Sequence, residues 1–258
     1  MTPPATRTLA HWAAGVTLES MPDEVRHACR RLVLDYLGAA IAGSTTDMSA
    51  TLRAILPSLA PGSQATIIQG GRVSAVGAAF ANGTAAHGLE LDDGYTQGSV
   101  HPSAATLPAV LALAEQGGLG PNRVLPAVAV AVEVTTRVAA AAHPATLHAG
   151  FHNTPIAGVL GAAAGCALLL GGGPEVVASA LGLAGSHAGG LREYHAEGSE
   201  VKRIHAGKAA RDGLTCAVLA NAGVDGPHTV LEGEQGYFRA FARGEWRPST
   251  LLDGLGSH

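Results

Sequence analysis

Apolar residues recur along most of the chain with the spacing of helices that bury one face or all of their surface, and this pattern predicts an all-α protein. Residues 22–43 show the pattern best. Pro22 suits a first helical turn, Asp23 and Glu24 follow it near the positive end of the helix dipole, and Gly43 suits the helix end. One face of this segment carries the apolar side chains Val25, Leu32, Val33, Tyr36, Leu37, Ala40 and Ile41.

The same reasoning predicts eight further helices and one extended segment. Prolines lie where helix starts tolerate them, and glycines lie where helices end. The sequence shows no repeat of fixed period and no low-complexity linker. We therefore expect a single helical domain over residues 1–258, with little or no sheet. The predicted helices are 47–56, 73–87, 104–116, 122–142, 155–170, 174–188, 205–222 and 229–243, and residues 64–69 are predicted to be extended.

Residues 155–173 contain no charged side chain, which raises the question of a membrane span. The segment is rich in Gly and Ala, contains Pro155 and lacks basic flanks, so a buried central helix is the better interpretation. Hydrophobic residues make up 47% of the chain and aromatic residues only 4%, so the core must be filled by small side chains. Small side chains let helices approach closely.

The net charge of −4 and the absence of a basic stripe argue against a nucleic-acid partner. Cys29, Cys166 and Cys216 fit neither a metal nor a redox spacing and are typical of small buried residues in a reducing compartment. The N-terminus lacks the basic and apolar regions of a signal peptide. We expect a cytoplasmic protein without a membrane partner.

The strongest candidate for chemistry is the segment HGLELDDGYTQGSVHP, which spans residues 87–102. It gathers His87, Glu90, Asp92, Asp93 and His101 between two Ala-rich helices. A carboxylate and an imidazole placed beside one substrate can perform acid–base catalysis when burial moves their pKa values. The alternative is structural: aspartates that cap a helix, and a buried, hydrogen-bonded histidine. The pattern leaves both interpretations open.

Two further segments carry candidate residues. His152 precedes the uncharged helix, at the end where a helix favours an anion, although a single histidine there is often a packed or capping residue. The segment VKRIHAGKAA contains Lys202, His205 and Lys208, which suit carboxylate binding, although a solvated basic face has the same composition.

Other catalytic and binding motifs are missing from the sequence. AGSHA lacks the glycine spacing of a nucleophile elbow, and neither a phosphate-binding loop nor a dinucleotide fingerprint is present. A metal site built from His87, Asp92, Asp93 and His101 is a weak alternative because the spacing of the ligands is irregular. We expect neither a metal nor a cofactor.

Several blocks, in order along almost the whole chain, resemble the MmgE/PrpD family of dehydratases, decarboxylases and epimerases that act on small carboxylates. The resemblance implies a large helical domain followed by a smaller lid domain, with the active site between them, and we expect the lid domain to be absent from this sequence. The blocks are PDEVRHACRRLVLDYLGAAIAG, FANGTAAHGLELDDGYTQGSVHPSAATLPAVLALAE, GFHNTPIAGVLGAAAGCALLLG, VKRIHAGKAARDGLTCAVLANAGVDGP and VLEGEQGYF.

The resemblance also implies cofactor-independent proton transfer beside a carboxylate of a di- or tricarboxylate. By position it assigns catalysis to Asp92, His101, His152 and Lys202. We predict that Glu90, Asp93, Tyr95, His205 and Lys208 bind the substrate, and by position Glu90 belongs to the acidic motif of the family. Glu90 departs from the pattern, since the family's decarboxylases carry aspartate there.

We expect a dehydratase or an isomerase (epimerase) rather than a decarboxylase, because the lysine and tyrosine that the lid contributes to decarboxylation lie outside this sequence. We also expect a homo-oligomer, such as a dimer, or a separate lid-domain chain as partner. The alternatives are a non-catalytic helical scaffold and one half of a split enzyme.

Overall fold

The computed structural model describes residues 4–257, which are almost entirely helical and so confirm the predicted all-α class. The longer helices are α1 (Ala5–Ala14), α2 (Asp23–Gly43), α3 (Asp47–Leu59), α4 (Ala75–Ala86), α5 (Pro102–Gly117), α6 (Pro121–Ala142), α8 (Asn153–Leu169), α9 (Pro174–His187) and α11 (Val201–Asn221). The shorter helices are α7 (Ala145–His148), α10 (Tyr194–Glu197), α12 (Tyr237–Ala242) and α13 (Pro248–Leu252).

The predicted extended segment 64–69 is shorter than expected and belongs to a hairpin. Strands β1 (Ala65–Thr66) and β2 (Arg72–Val73) pair in antiparallel fashion, with Ala65 opposite Val73. Arg72 and the hydroxyl and backbone N–H of Thr66 all bind the Glu115 carboxylate of α5. This polar contact fastens the hairpin to the helical body.

Three other predictions of helix extent are wrong. Helix α3 continues past Pro57, which lies in the last turn and so removes only one helical hydrogen bond. The predicted helix 229–243 shrinks to α12, because residues 229–236 form turns in which Thr229 accepts from the Gly233 N–H and Val230 from the Tyr237 N–H. Helix α11 begins at Val201, four residues before the predicted start, and therefore includes Lys202.

The uncharged helix α8 lies at the centre of the fold, as the sequence predicts. Every residue of α8 except Leu168 is buried, and α5, α6, α9 and α11 pack around it. By length and composition, α6 is the one helix within residues 4–257 that could cross a membrane, and 67% of its most apolar stretch is buried in the fold. Burial of this kind is also expected of a core helix.

Glycine lets the central helices touch at their backbones. A Cβ atom on Gly83 of α4 would lie 2.8 Å from the Cα atom of Gly207 in α11. A Cβ atom on Gly207 would overlap the Phe80 carbonyl oxygen and the Thr84 hydroxyl. The close crossing of α4 and α11 thus requires glycine at both positions. It places the C-terminal end of α4 against the first turns of α11.

We predict that Gly207→Ala lowers the free energy of unfolding by about 1–3 kcal/mol, since an added methyl group forces the two backbones apart. Urea denaturation followed by circular dichroism measures the change.

Gly38→Ala in α2 is the matched control, because Gly38 is exposed and nothing lies within 4 Å of the added Cβ atom. It should stabilise the protein by about 0.5–1 kcal/mol through helix propensity alone. A Gly207→Ala variant as stable as Gly38→Ala would contradict the proposed close crossing.

Candidate active site

The four residues predicted to be catalytic come together where several helices begin or end. His101 and His152 are the residues immediately before α5 and α8, Lys202 lies in the first turn of α11, and Asp92 lies in the loop between α4 and α5. His87, which follows α4, joins them: its ring centroid lies 4.7 Å from that of His101 and 6.1 Å from that of His152. Segments that are distant in sequence therefore meet at one place in the fold, while the catalytic roles of these residues stay a prediction.

A single oxygen of Asp92 contacts two imidazoles. Asp92 Oδ2 lies 2.9 Å from His87 Nδ1 and 3.4 Å from His101 Nδ1, and the Asp92 side chain is 1% exposed. Burial alone would raise the pKa of Asp92, but the contacts with His101 and His87 outweigh burial and hold that pKa below its usual range. The carboxylate is ionised, so His87 Nδ1 must carry the proton and donate it.

The contact with Asp92 raises the pKa of His101 above its usual value, although partial burial of the ring works in the opposite direction. The His101 side chain is 27% exposed, so it is open to small molecules from solvent. The contact with Asp92 therefore stabilises the imidazolium form of His101, which is the form that can donate a proton.

His152 has the opposite electrostatic environment. Burial, followed by the neighbouring His205, lowers the pKa of His152 to about 2, and burial also lowers the pKa of His205 to about 4. Their Nδ1 atoms lie 3.1 Å apart, so one ring donates the hydrogen bond and the other accepts it. The backbone N–H of His152 donates to Gly190 O, which fixes the residue in place. Both rings are therefore neutral at pH 7.

Lys202 is already paired with an acid of the same site. Its Nζ lies 2.7 Å from Glu90 Oε2, and the hydrogen bond with Lys202 lowers the pKa of Glu90. Glu90 has a φ of 55°, in the left-handed region that few non-glycine residues adopt. Arg203 Nε also donates to Gly88 O at 2.8 Å, so α11 holds this loop at two points.

The other side chains predicted to bind substrate have protein partners. Asp93 accepts from the backbone N–H and the hydroxyl of Ser103 at the start of α5, the capping role that the sequence left open. Tyr95 donates to Gln97 Oε1, and Lys208 donates to His187 O and lies 3.3 Å from Asp212 Oδ2. Their assignment to substrate binding stays a prediction.

A cleft of about 480 Å³ adjoins the site, and both His205 and Lys208 line it. Tyr194 of α10 also lines this cleft, with its ring centroid 5.3 Å from that of His152. Tyr194 was not predicted from the sequence, because it lies in the short segment LREYHAE, which has neither a regular apolar pattern nor a motif.

Exposed apolar side chains surround the candidate residues. Leu89 and Leu91 flank Glu90 in sequence, and Leu191 and Val201 line the cleft beside His205. Leu91 is 63% exposed and Leu191 64% exposed. We call these four side chains the apolar rim.

The donor atoms of His87, Asp92 and His101 lie within 4.8 Å of one another, a set that could hold a divalent transition metal. The ion pair described above accounts for the same geometry without a metal. Asp93 does not belong to this set, since Ser103 engages both of its oxygens.

A second cavity, of about 620 Å³, is formed by other elements: α1, α2, α6 and residues 255–257. Its carboxylate, Glu133, is paired with Arg137 at 2.6 Å. The lining is mostly apolar, and it includes none of the clustered histidines and acids.

Residues 7–249 match the family model of the MmgE/PrpD N-terminal domain, and the chain belongs to the MmgE/PrpD family. It is 31% identical to the cis-aconitate decarboxylase of Aspergillus terreus over 266 residues, which cover 98% of this chain and 54% of the relative. It is also 31% identical to the human cis-aconitate decarboxylase over 254 residues, which cover 95% of this chain and 52% of the relative. The chain spans about half the length of these relatives.

We predict that the protein loses stability as the pH falls from about 6.5 to about 4. In this range His152 and His205 become protonated in the unfolded chain, whereas their lowered pKa values disfavour protonation in the folded state. The raised pKa of His101 makes stability depend on pH only above about pH 6.5, and the lowered pKa of Asp92 does so only below about pH 4. Neither therefore offsets this loss.

His205→Asn keeps a polar atom near the position of Nδ1 but does not titrate. It should reduce the loss over this pH range by about 1–3 kcal/mol, measured by urea denaturation at each pH. His27→Asn, at an exposed position of α2, should keep the full slope of the native protein. An unchanged slope in His205→Asn would contradict the assignment.

Proposed function

We propose that this chain carries the acid–base residues of a lyase that acts on a small di- or tricarboxylate by proton transfer beside a carboxylate. The observation that carries this proposal is the contrast between two neighbouring imidazoles. The contact with the buried Asp92 carboxylate raises the pKa of His101, whereas burial lowers the pKa of His152. Pairs of titratable groups whose environments separate their pKa values are typical of acid–base catalysis.

In the proposed reaction, His101 is the proton donor and His152 the proton acceptor. In a dehydration, His152 takes the proton from carbon, the electron pair forms the double bond, and the leaving hydroxyl departs as water with the proton of His101. In a decarboxylation, the bond to the carboxylate carbon breaks, carbon dioxide leaves, and His101 returns a proton to the carbanion. Asp92 stabilises the imidazolium before the transfer.

Lys202 would bind a substrate carboxylate and stabilise negative charge that develops beside it. To do so it must exchange or share its partner Glu90, which occupies Nζ in the structure. Tyr194 and His205 line the adjoining cleft and could bind a second polar group of the substrate.

We also propose that the apolar rim is covered in the working protein, either by a second copy of this chain or by a lid-domain chain. Such a cover would exclude water and strengthen the electrostatic interactions with the bound carboxylates. Leu89, Leu91, Leu191 and Val201 give it an apolar surface to pack against.

A substrate panel tests the reaction class. cis-Aconitate tests decarboxylation by carbon dioxide release, and citrate and malate test dehydration by formation of a double bond. Exchange of a substrate C–H for deuterium, without net conversion, would indicate an isomerase instead. We place a lyase first because the named relatives are decarboxylases. A chain that binds none of these acids and exchanges none of their protons would contradict the proposal.

We predict that His101→Gln lowers kcat by about 10²- to 10⁴-fold, the usual contribution of one general acid, while the fold is retained. Steady-state kinetics on the substrate found above, with circular dichroism, measure both effects. His27→Gln replaces an exposed histidine of α2 and should leave kcat unchanged. A scaffold without catalytic function would show no turnover to lose.

We predict that Glu90→Gln lowers KM by about two- to fivefold with little change in kcat, because it removes a partly exposed ion pair that competes for Lys202. Lys202→Met should raise KM about tenfold or more, as expected for the loss of a charged hydrogen bond. Glu200→Gln, which breaks the exposed pair with Arg203, is the control. A higher KM in Glu90→Gln would instead favour direct substrate binding by Glu90.

A further inference from the structure

His87 is a buried histidine that takes no part in the proton transfers proposed above. Its side chain is 0% exposed, so it has no surface in contact with solvent. Nδ1 nevertheless lies 2.9 Å from Asp92 Oδ2, closer than the 3.4 Å that separates His101 Nδ1 from the same oxygen. Of the two histidines that contact Asp92, the buried His87 is therefore closer than the partly exposed His101.

We propose that His87 is a positioning residue: its Nδ1–H holds the Asp92 carboxylate in one orientation, with Oδ2 against His101, and so maintains the ion pair on which proton donation by His101 depends. The consequence for catalysis rests on the proposed function. The positioning itself does not, because it is a property of the ligand-free protein.

The hydrogen bonds of Asp92 support this role. Oδ1 is buried and has no hydrogen-bond partner among residues 4–257, so the carboxylate is held through Oδ2 alone. Without His87, only the longer contact with His101 would hold it. A buried carboxylate that loses a donor is costly to keep ionised, and it would rotate or take up a proton. Either change weakens the pair with His101.

The ring of His87 also packs against the rings of His101 and His152, so a test must separate its hydrogen bond from its shape. His87→Asn keeps an amide donor near the position of Nδ1. His87→Gln carries its amide near the position of Nε2, so it is polar and neutral but lacks the donor toward Asp92. The two variants differ mainly in that donor.

Nuclear magnetic resonance of the histidine rings measures the result directly, with the signal of His101 assigned from its loss in His101→Gln. The groups that act on His101 are unchanged in both variants apart from position 87. They are Glu90, Asp92 and Asp93 of the loop, His152 at the start of α8, and Lys202 of α11.

We expect the titration midpoint of His101 to fall by about one pH unit in His87→Gln, the size of effect that a charged hydrogen bond produces. It should stay at the native value in His87→Asn. On an active substrate, the alkaline limb of kcat should move in the same way, with KM changed less than kcat.

Three results would overturn the proposal. The first is a native His101 midpoint in His87→Gln. The second is an equal shift in both variants, which would assign the effect to ring packing. The third is one zinc ion per chain, found by equilibrium dialysis against zinc chloride and lost in His87→Gln, which would make the cluster a metal site.

Two further controls keep the test decisive. If His87→Gln does not fold, a shifted midpoint in His87→Asn alone still overturns the proposal, and a native midpoint supports it. If the titrations follow expectation while no carboxylate of the panel is converted, the proposed function fails and the positioning role of His87 stands.

Discussion

The contact between Gly83 and Gly207 is the constraint on which the candidate site depends. It brings the backbones of α4 and α11 together. His87 lies one turn beyond Gly83, and His205 and Lys202 lie within two turns before Gly207. The helix crossing thus places residues from two distant segments side by side. A side chain at either glycine would push these groups apart, so the geometry of the site requires glycine at both positions.

Polar residues gather at the helix ends because the centre of the fold cannot hold them. Helix α8 has no charged residue and is almost wholly buried, and the charged residues of the site lie outside it, where its neighbours begin or end. At these helix ends, the ionisable groups of the site are either paired with a group of opposite charge or neutral. Asp92 is ionised between two imidazoles, His152 is neutral beside His205, and Lys202 is paired with Glu90. The balance of charge and burial sets the separate proton affinities of His101 and His152.

Much of the fold follows from the sequence, because long apolar stretches with proline and glycine at their ends specify helices strongly. The uncharged helix was predicted to be central and is. Helix α1 was not predicted, since its short pattern is weak and its anchor, a hydrogen bond from Thr6 to Glu232, joins the two ends of the chain. The sequence also predicted a helix over residues 229–236, where the structure has turns. Hydrogen bonds between backbone groups form these turns, and the pattern of side chains does not reveal such bonds.

The site was only partly predictable from the residues themselves. Sequence proximity indicated that acids and histidines share a segment, and the family resemblance named Asp92 and His101. It could not show that Asp93 binds Ser103 while Asp92 faces inward, since a difference of one residue in a loop reverses the direction of a side chain. The role of His87 was also hidden, because a buried histidine next to a helix end has the same sequence pattern whichever group it contacts.

The apolar rim has a practical consequence for work with this chain in solution. Contacts between exposed leucines are hydrophobic, so intermolecular attraction grows on warming from low temperature and in the presence of sulfate or phosphate. Sulfate and phosphate thus promote association of the protein and also bind to cationic side chains. A titration with any multivalent acid therefore has to be compared with sodium chloride at equal ionic strength.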